Sequence, residues 1–74
     1  MDVQVDLFET LKRRRPADGR VRLPDGARVS DLLAALGIAV ADVGILMVNR
    51  EDGRFDQELR DGDRVTVIPP IGGG

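Results

Sequence analysis

The chain opens on a strict alternation. Across residues 3–8, Val3, Val5 and Leu7 fall on one side of an extended backbone and Gln4 and Asp6 on the other, the pattern of a half-buried strand. Glu9 to Arg15 follows with good helix formers around Leu11. Pro16 ends that segment, because the residue before a proline is pushed out of the helical region. Asp18-Gly19 is a turn signal, and Arg20-Val21-Arg22-Leu23 alternates again as a second strand. Leu23-Pro24-Asp25-Gly26 is a further turn. Ser30 is placed to cap a helix over Asp31–Leu36, with Asp31 against the positive end of its dipole. Leu32, Leu33 and Leu36 form the stripe of a core-facing helix, and Gly37 suits the left-handed position just beyond its end. Residues 38–44 are small and apolar with one Asp, which reads as a loop or a loose helical turn. Ile45-Leu46-Met47-Val48 suits a central strand, Asn49 to Gly53 a turn, and Arg54-Phe55 a short edge strand. After the tight turn Asp61-Gly62-Asp63, Arg64–Ile68 forms the last strand. Pro69-Pro70 ends it, since proline cannot donate to a ladder.

The order is thus β, short α, β, α, β, short β, β, with no internal repeat or linker. The first and last strands are both strongly apolar and are expected to pair in the middle of the sheet. One main helix over a mixed sheet of four or five strands is a β-grasp arrangement, of the α+β class. A helix on one face leaves the other face partly open. The expected organisation is a domain over residues 1–68 and a flexible tail over residues 69–74.

Composition narrows the chemistry. At 74 residues the chain makes one domain, of a size that buries only about 60% of its unfolded surface. Phe8 and Phe55 are its two aromatic residues, so the core is aliphatic. Cysteine is absent, which removes disulfides, thiolate metal sites and thiol nucleophiles. Histidine is absent as well, and with it the commonest metal ligand and general base. An independent enzyme would have to rely on carboxylates, Lys12 or arginine. The 11 basic and 13 acidic residues are intermixed, for a net charge of −2, and nucleic acid is not an implied partner. The first residues read as a strand and not as a signal peptide, and no apolar run approaches the ~20 residues that span a membrane. A soluble, cytoplasmic protein is expected.

What remains is the tail, Ile68-Pro69-Pro70-Ile71-Gly72-Gly73-Gly74. Pro69 and Pro70 fix φ near −65° (a value of about that size in any proline) and stiffen the exit from the sheet. Gly72, Gly73 and Gly74 have no Cβ, so their backbone can enter a tunnel too narrow for other residues. Ile71 to Gly74 can span roughly 13 Å when extended, at about 3.3 Å per residue. The Gly74 carboxylate is then the candidate reactive group. Three terminal glycines are also what a frayed end looks like. The short Pro-Pro-Ile spacer and the lack of any other credible chemical site weigh against that reading.

These segments carry a resemblance. Leu23-Pro24-Asp25-Gly26-Ala27 ahead of Val29-Ser30-Asp31-Leu32-Leu33, then Val48-Asn49, then Leu59-Arg60-Asp61-Gly62-Asp63-Arg64-Val65, and finally Ile68-Pro69-Pro70-Ile71-Gly72-Gly73-Gly74 make the chain similar to the MoaD/ThiS family of ubiquitin-like sulfur carriers. The likeness covers nearly the whole chain, and the Asp-Gly-Asp turn one strand before the Pro-Pro…Gly-Gly tail is specific in combination. The family's diglycine falls on Gly73-Gly74. The resemblance implies that an E1-like adenylyltransferase activates the Gly74 carboxylate with ATP. A persulfide donor then leaves a C-terminal thiocarboxylate, and a downstream synthase uses the sulfur. It implies no cofactor bound by the carrier itself, and no catalysis by it. Pro69-Pro70 looks like the small subunit of molybdopterin synthase, whose large subunit would be the partner. The glycine run and short chain also resemble thiamine sulfur carriers, which feed thiazole synthase.

Strand alternation turns Ile68 away from the helix if Val65 and Val67 face it, which makes Ile68 a candidate partner contact. Phe8 can join that patch or cap the core. Lys12-Arg13-Arg14-Arg15 reads as a docking patch for an acidic partner or as the solvated face of a short helix. Two other functions share the same features: a ubiquitin-like modifier joined to lysines through Gly74, and a β-grasp interaction module with an inert tail.

Overall fold

The last strand is the hub of the sheet. The computed structural model describes residues 1–71 and contains five strands: β1 (Asp2–Leu7), β2 (Arg20–Arg22), β3 (Ile45–Val48), β4 (Glu51–Asp52) and β5 (Arg64–Ile68). Their order is β2-β1-β5-β3-β4. β5 runs parallel to β1, with Val65 beside Val5 and Val67 beside Leu7. It runs antiparallel to β3, with Val67 opposite Leu46 and Ile68 opposite Ile45. The first and last strands do pair at the centre, and the whole is the mixed, one-helix β-grasp sheet that the sequence predicts.

The apolar alternation explains the packing. Val3, Val5 and Leu7 of β1 and Val65 and Val67 of β5 are all buried. They meet helix α1 (Val29–Leu36), whose Val29, Leu32, Leu33 and Leu36 form its buried stripe. Gly37 ends the helix in the left-handed region, at φ 72 and ψ 28. Its N–H donates to the Ala34 carbonyl at 3.1 Å and the Ile38 N–H to the Leu33 carbonyl at 2.9 Å, the paired bonds of a Schellman end.

Three local expectations are corrected. Ser30 does not hold the N-cap position; Arg28 does, without a side-chain cap bond, and the helix starts at Val29. The loop after β4 makes this possible, because the Val29 N–H donates to the Gln57 carbonyl and the Ser30 N–H to the Phe55 carbonyl, both at 2.9 Å. Tertiary carbonyls thus satisfy donors that a side chain would otherwise cap, while the Asp31 carboxylate accepts from the Arg28 N–H at 2.8 Å. The segment after β1 is a 3₁₀ helix, Glu9–Arg14, and not an α-helix; six residues between a bend and a proline leave little room for α-helical ladders. Its first residue, Glu9, sits at φ 54, a rare conformation for a residue with a side chain. The edge strand lies at Glu51–Asp52 and not at Arg54-Phe55. Asn49 and Arg50, at φ 55 and 70, close a two-residue hairpin of the type that matches strand twist, so the chain returns sooner than glycine-led turn chemistry suggests. Phe55 instead packs partly against the core.

Asn49 does more than turn. Its Oδ1 accepts from the Arg64 N–H at 3.0 Å and its Nδ2 donates to Asp63 Oδ1 at 2.8 Å. It ties the β3–β4 hairpin to the start of β5. Residues 38–44 contain a single 3₁₀ turn, Val40–Asp42, in line with the loose turn expected there.

Leu32 is 0% exposed and Val40 57%, which sets a contrast. Leu32→Ala should lower the unfolding free energy by about 2–5 kcal/mol through lost contacts and a cavity, whereas Val40→Ala should change it by less than about 0.5 kcal/mol. Urea denaturation of the two variants measures both.

Candidate functional site

The pleat of β5 divides the sheet into two faces. Val65 and Val67 point to the helix, so Thr66 and Ile68 point away. The antiparallel register sets Ile45 opposite Ile68 and Met47 opposite Thr66 on that same outer face. Phe8 takes the next register position after Leu7, and its N–H donates to the Val67 carbonyl at 3.2 Å. It therefore joins the outer patch and does not cap the core: Phe8 is 42% exposed and Ile45 45%. Ile68 between them is half-buried.

The remainder of the outer face is polar. The Arg64 guanidinium donates to Gln4 Oε1 at 2.7 Å and lies 3.3 Å from Asp6 Oδ2. Arg22 donates to Asp2 Oδ1 at 3.3 Å and holds that carboxyl below its ordinary range, chiefly through this hydrogen bond. Both partners are exposed, so the gain is small. Its sign is definite: it is present above the ordinary carboxyl pKa and fades as acid protonates Asp2. The apolar patch is thus confined to the end of the sheet from which the tail departs.

The tail root itself is clamped. The Gly44 N–H donates to the Ile68 carbonyl at 2.8 Å. A Cβ at Gly44 would lie 2.7 Å from both Cα and N of Pro70 and 2.8 Å from the Pro69 carbonyl oxygen. Only a residue without a side chain lets the backbone of residue 44 lie against Pro69-Pro70. Sequence reasoning missed this role; the available signal was an isolated glycine at the mouth of an apolar strand run. Two clefts flank the root. One of about 470 Å³ is lined by Glu9, Thr10, Ile68, Pro69, Pro70 and Ile71. The other, of about 270 Å³, lies between the first 3₁₀ helix and the end of α1, with Arg13, Arg14 and Asp42 facing Pro69-Pro70. Ile71 is 91% exposed.

The structure therefore brings Phe8, Ile68, Pro69, Pro70 and Ile71 to one end of the molecule. Gly72, Gly73 and Gly74 lie outside the described residues. Among the described residues, no group of three acidic, Cys or His side chains could hold a metal ion, and no helix is long and apolar enough to cross a membrane.

Gly44→Ala puts a methyl group into the tail root, where backbone and not a flexible side chain must yield. It should cost about 1–3 kcal/mol of stability and shift the amide resonances of Ile45, Ile68 and Ile71, while those of α1 stay in place; a two-dimensional NMR spectrum of the variant checks this.

The fold recurs among known proteins. No curated protein matches the chain. Among solved structures, it is similar to a protein described as molybdopterin converting factor subunit 1 from Pyrococcus furiosus, at 30% identity and a TM-score of 0.77 over 96% of this chain and 99% of the other. It also resembles SAMP1 from Haloferax volcanii, at 24% identity, TM-score 0.75 and full coverage of both chains. A third likeness is to a chain in the complex of subunits 1 and 2 of the Helicobacter pylori molybdopterin-converting factor, at 22% identity, TM-score 0.61 and full coverage of both. The latter two share the fold. The ThiS family model matches residues 5–74, and the chain belongs to the ThiS family.

Proposed function

We propose that this protein is a sulfur carrier whose Gly74 carboxylate is the working group. An E1-like adenylyltransferase binds the outer patch around Phe8, Ile45 and Ile68 and takes the tail into its active site. A Gly74 carboxylate oxygen attacks the α-phosphorus of ATP and pyrophosphate leaves. The acyl-adenylate so formed is a far better electrophile than the carboxylate. A persulfide donor displaces AMP, and a thiol then releases the C-terminal thiocarboxylate by taking up the donor's sulfur as a disulfide. The thiocarboxylate sulfur is the nucleophile that a downstream synthase uses. All catalytic side chains and the ATP belong to the partners, which explains how a chain without Cys or His can take part in sulfur chemistry. The reaction requires ATP and is assigned to the cytoplasm.

The observation that carries this reading is the tail root: Gly44 holds Pro69-Pro70 at the edge of an apolar patch, so whatever binds the patch receives the tail. The favoured destination of the sulfur is molybdopterin, with the large synthase subunit as partner. The 30% identity to the Pyrococcus protein over nearly the full chain supports it. Delivery to thiazole synthase for thiamine is the second reading, favoured by the family model that matches residues 5–74.

Intact mass after incubation with ATP, the activating enzyme and a persulfide donor should show one sulfur-for-oxygen exchange, lost on deletion of Gly74. High-mass isopeptide adducts without that exchange would establish a protein modifier instead, and unchanged partner activity after the deletion would establish an interaction module. Phe8→Ala and Ile45→Ala each remove an exposed apolar side chain from the patch. Each should weaken activation about tenfold, equivalent to ~1.4 kcal/mol, with the melting temperature nearly unchanged; steady-state kinetics of adenylation reads the loss.

A further inference from the structure

A run of basic side chains stands at one end of the strand axis. β1 and β5 run parallel, so the 3₁₀ helix that follows β1 lies at the end where β5 releases the tail. That helix carries Lys12, Arg13 and Arg14, with Arg15 next in the chain. The turns at the opposite end mix signs: Glu51, Asp52, Glu58 and Asp63 line one cleft there together with Arg60, and Arg64 opens β5 beside it. In a protein of net charge −2, the longest run of basic residues therefore stands where the tail emerges.

Two of the four cations have structural work. Arg15 folds back so that its Nη1 donates to the carbonyls of Pro16 at 3.2 Å and Ala17 at 3.3 Å. The Arg14 guanidinium lies across Gly37, with Nη1 3.3 Å from where a Cβ of that residue would sit. There it complements the negative end of α1. Lys12 and Arg13 are exposed, and neither takes part in an ion pair among the described residues. Arg13 nevertheless lines the cleft of about 270 Å³ whose other wall is Pro69-Pro70. Arg13, in no salt bridge among the described residues, thus stands beside the tail root, with Lys12 its neighbour in the 3₁₀ helix.

We propose that Lys12 and Arg13 are a docking contact for carboxylates on the rim of the active site that receives the tail. The partner is a protein with Asp or Glu side chains at the lip of its tail channel. One of these carboxylates enters the cleft beside Pro69-Pro70 and accepts a forked pair of hydrogen bonds from the Arg13 guanidinium, while Lys12 adds charge at the margin. Such a lip attracts the basic run beside the tail, so the carrier arrives tail first. The effect lies in the rate of association more than in the lifetime of the complex. Nucleic acid is a poorer fit, because the cleft also contains Asp42 and the molecule as a whole is anionic. The proposal rests on the tail-delivery reading above.

The test is stopped-flow association of the full chain with the activating enzyme. Ionic strength is raised from about 0.02 M to about 0.5 M, which shortens the screening length from about 20 Å to about 4 Å. The wild-type rate should fall about tenfold across that range. Lys12→Glu with Arg13→Glu should already be at least about tenfold slower at low salt, with little further salt dependence, an unchanged melting temperature and nearly the same dissociation rate. Lys12→Gln with Arg13→Gln should lie between the two. A wild-type rate indifferent to salt, or a charge-reversed variant that associates as fast as wild type, overturns the docking contact while thiocarboxylation of the wild type still supports the carrier. Retention of the wild type on RNA or DNA at physiological salt overturns the choice of a protein partner. A wild-type chain that the enzyme neither binds nor activates overturns both.

Discussion

Everything at the working end hangs on the pleat of β5 in its register between β1 and β3. Side chains in a strand alternate faces, and a slip of one residue would exchange the two sets. With Val65 and Val67 committed to the core at 0% exposure, Ile68 has no choice but the outer face. The same commitment sets Ile45 opposite Ile68 and brings Phe8 alongside. The tail then leaves from the central strand of the sheet, within a patch assembled from three strand ends. The aliphatic core and the outer apolar patch are two consequences of a single register.

That constraint is costly to maintain locally, and the costs cluster at the site. Glu9 adopts a left-handed conformation in the bend between β1 and the 3₁₀ helix, of order 1 kcal/mol or more for a residue with a side chain. Gly44 gives up a side chain so that its backbone can meet Pro69-Pro70. Neither device improves the core. Both shape the ground from which the tail emerges, as the proposed carrier role requires.

Much of this is legible in the sequence, for identifiable reasons. The alternation of β1 and β5, the leucine stripe of α1 and the left-handed Gly37 are local signals that tertiary packing reinforces. Ile68 on the outer face follows from alternation alone. The departures are all places where distant backbone replaces a local signal. Ser30 has the chemistry of a cap, yet the carbonyls of Phe55 and Gln57 perform that task for the helix start. Asn49-Arg50 turns tightly without a glycine, stabilised by the bonds of Asn49 to Asp63 and Arg64, and so moves β4 ahead of Arg54-Phe55. Gly44 is unremarkable in a run of small apolar residues until its neighbour across the fold is known. The division of labour within Lys12–Arg15, two cations folded onto the protein and two left outward, is likewise invisible without the positions of the Pro16 and Ala17 carbonyls and of Gly37.

The central claim is that the folded domain is the handle by which a partner grasps a reactive terminus. ATP–pyrophosphate exchange by the activating enzyme tests it most directly, with three substrates compared: the full chain, the chain lacking Gly73-Gly74, and a free peptide of residues 68–74. The expected result is exchange with the full chain, none with the shortened chain, which instead inhibits competitively, and little or none with the peptide. Exchange supported by the shortened chain would contradict the role of the terminus. Exchange supported by the peptide as well as by the full chain would contradict the role of the fold.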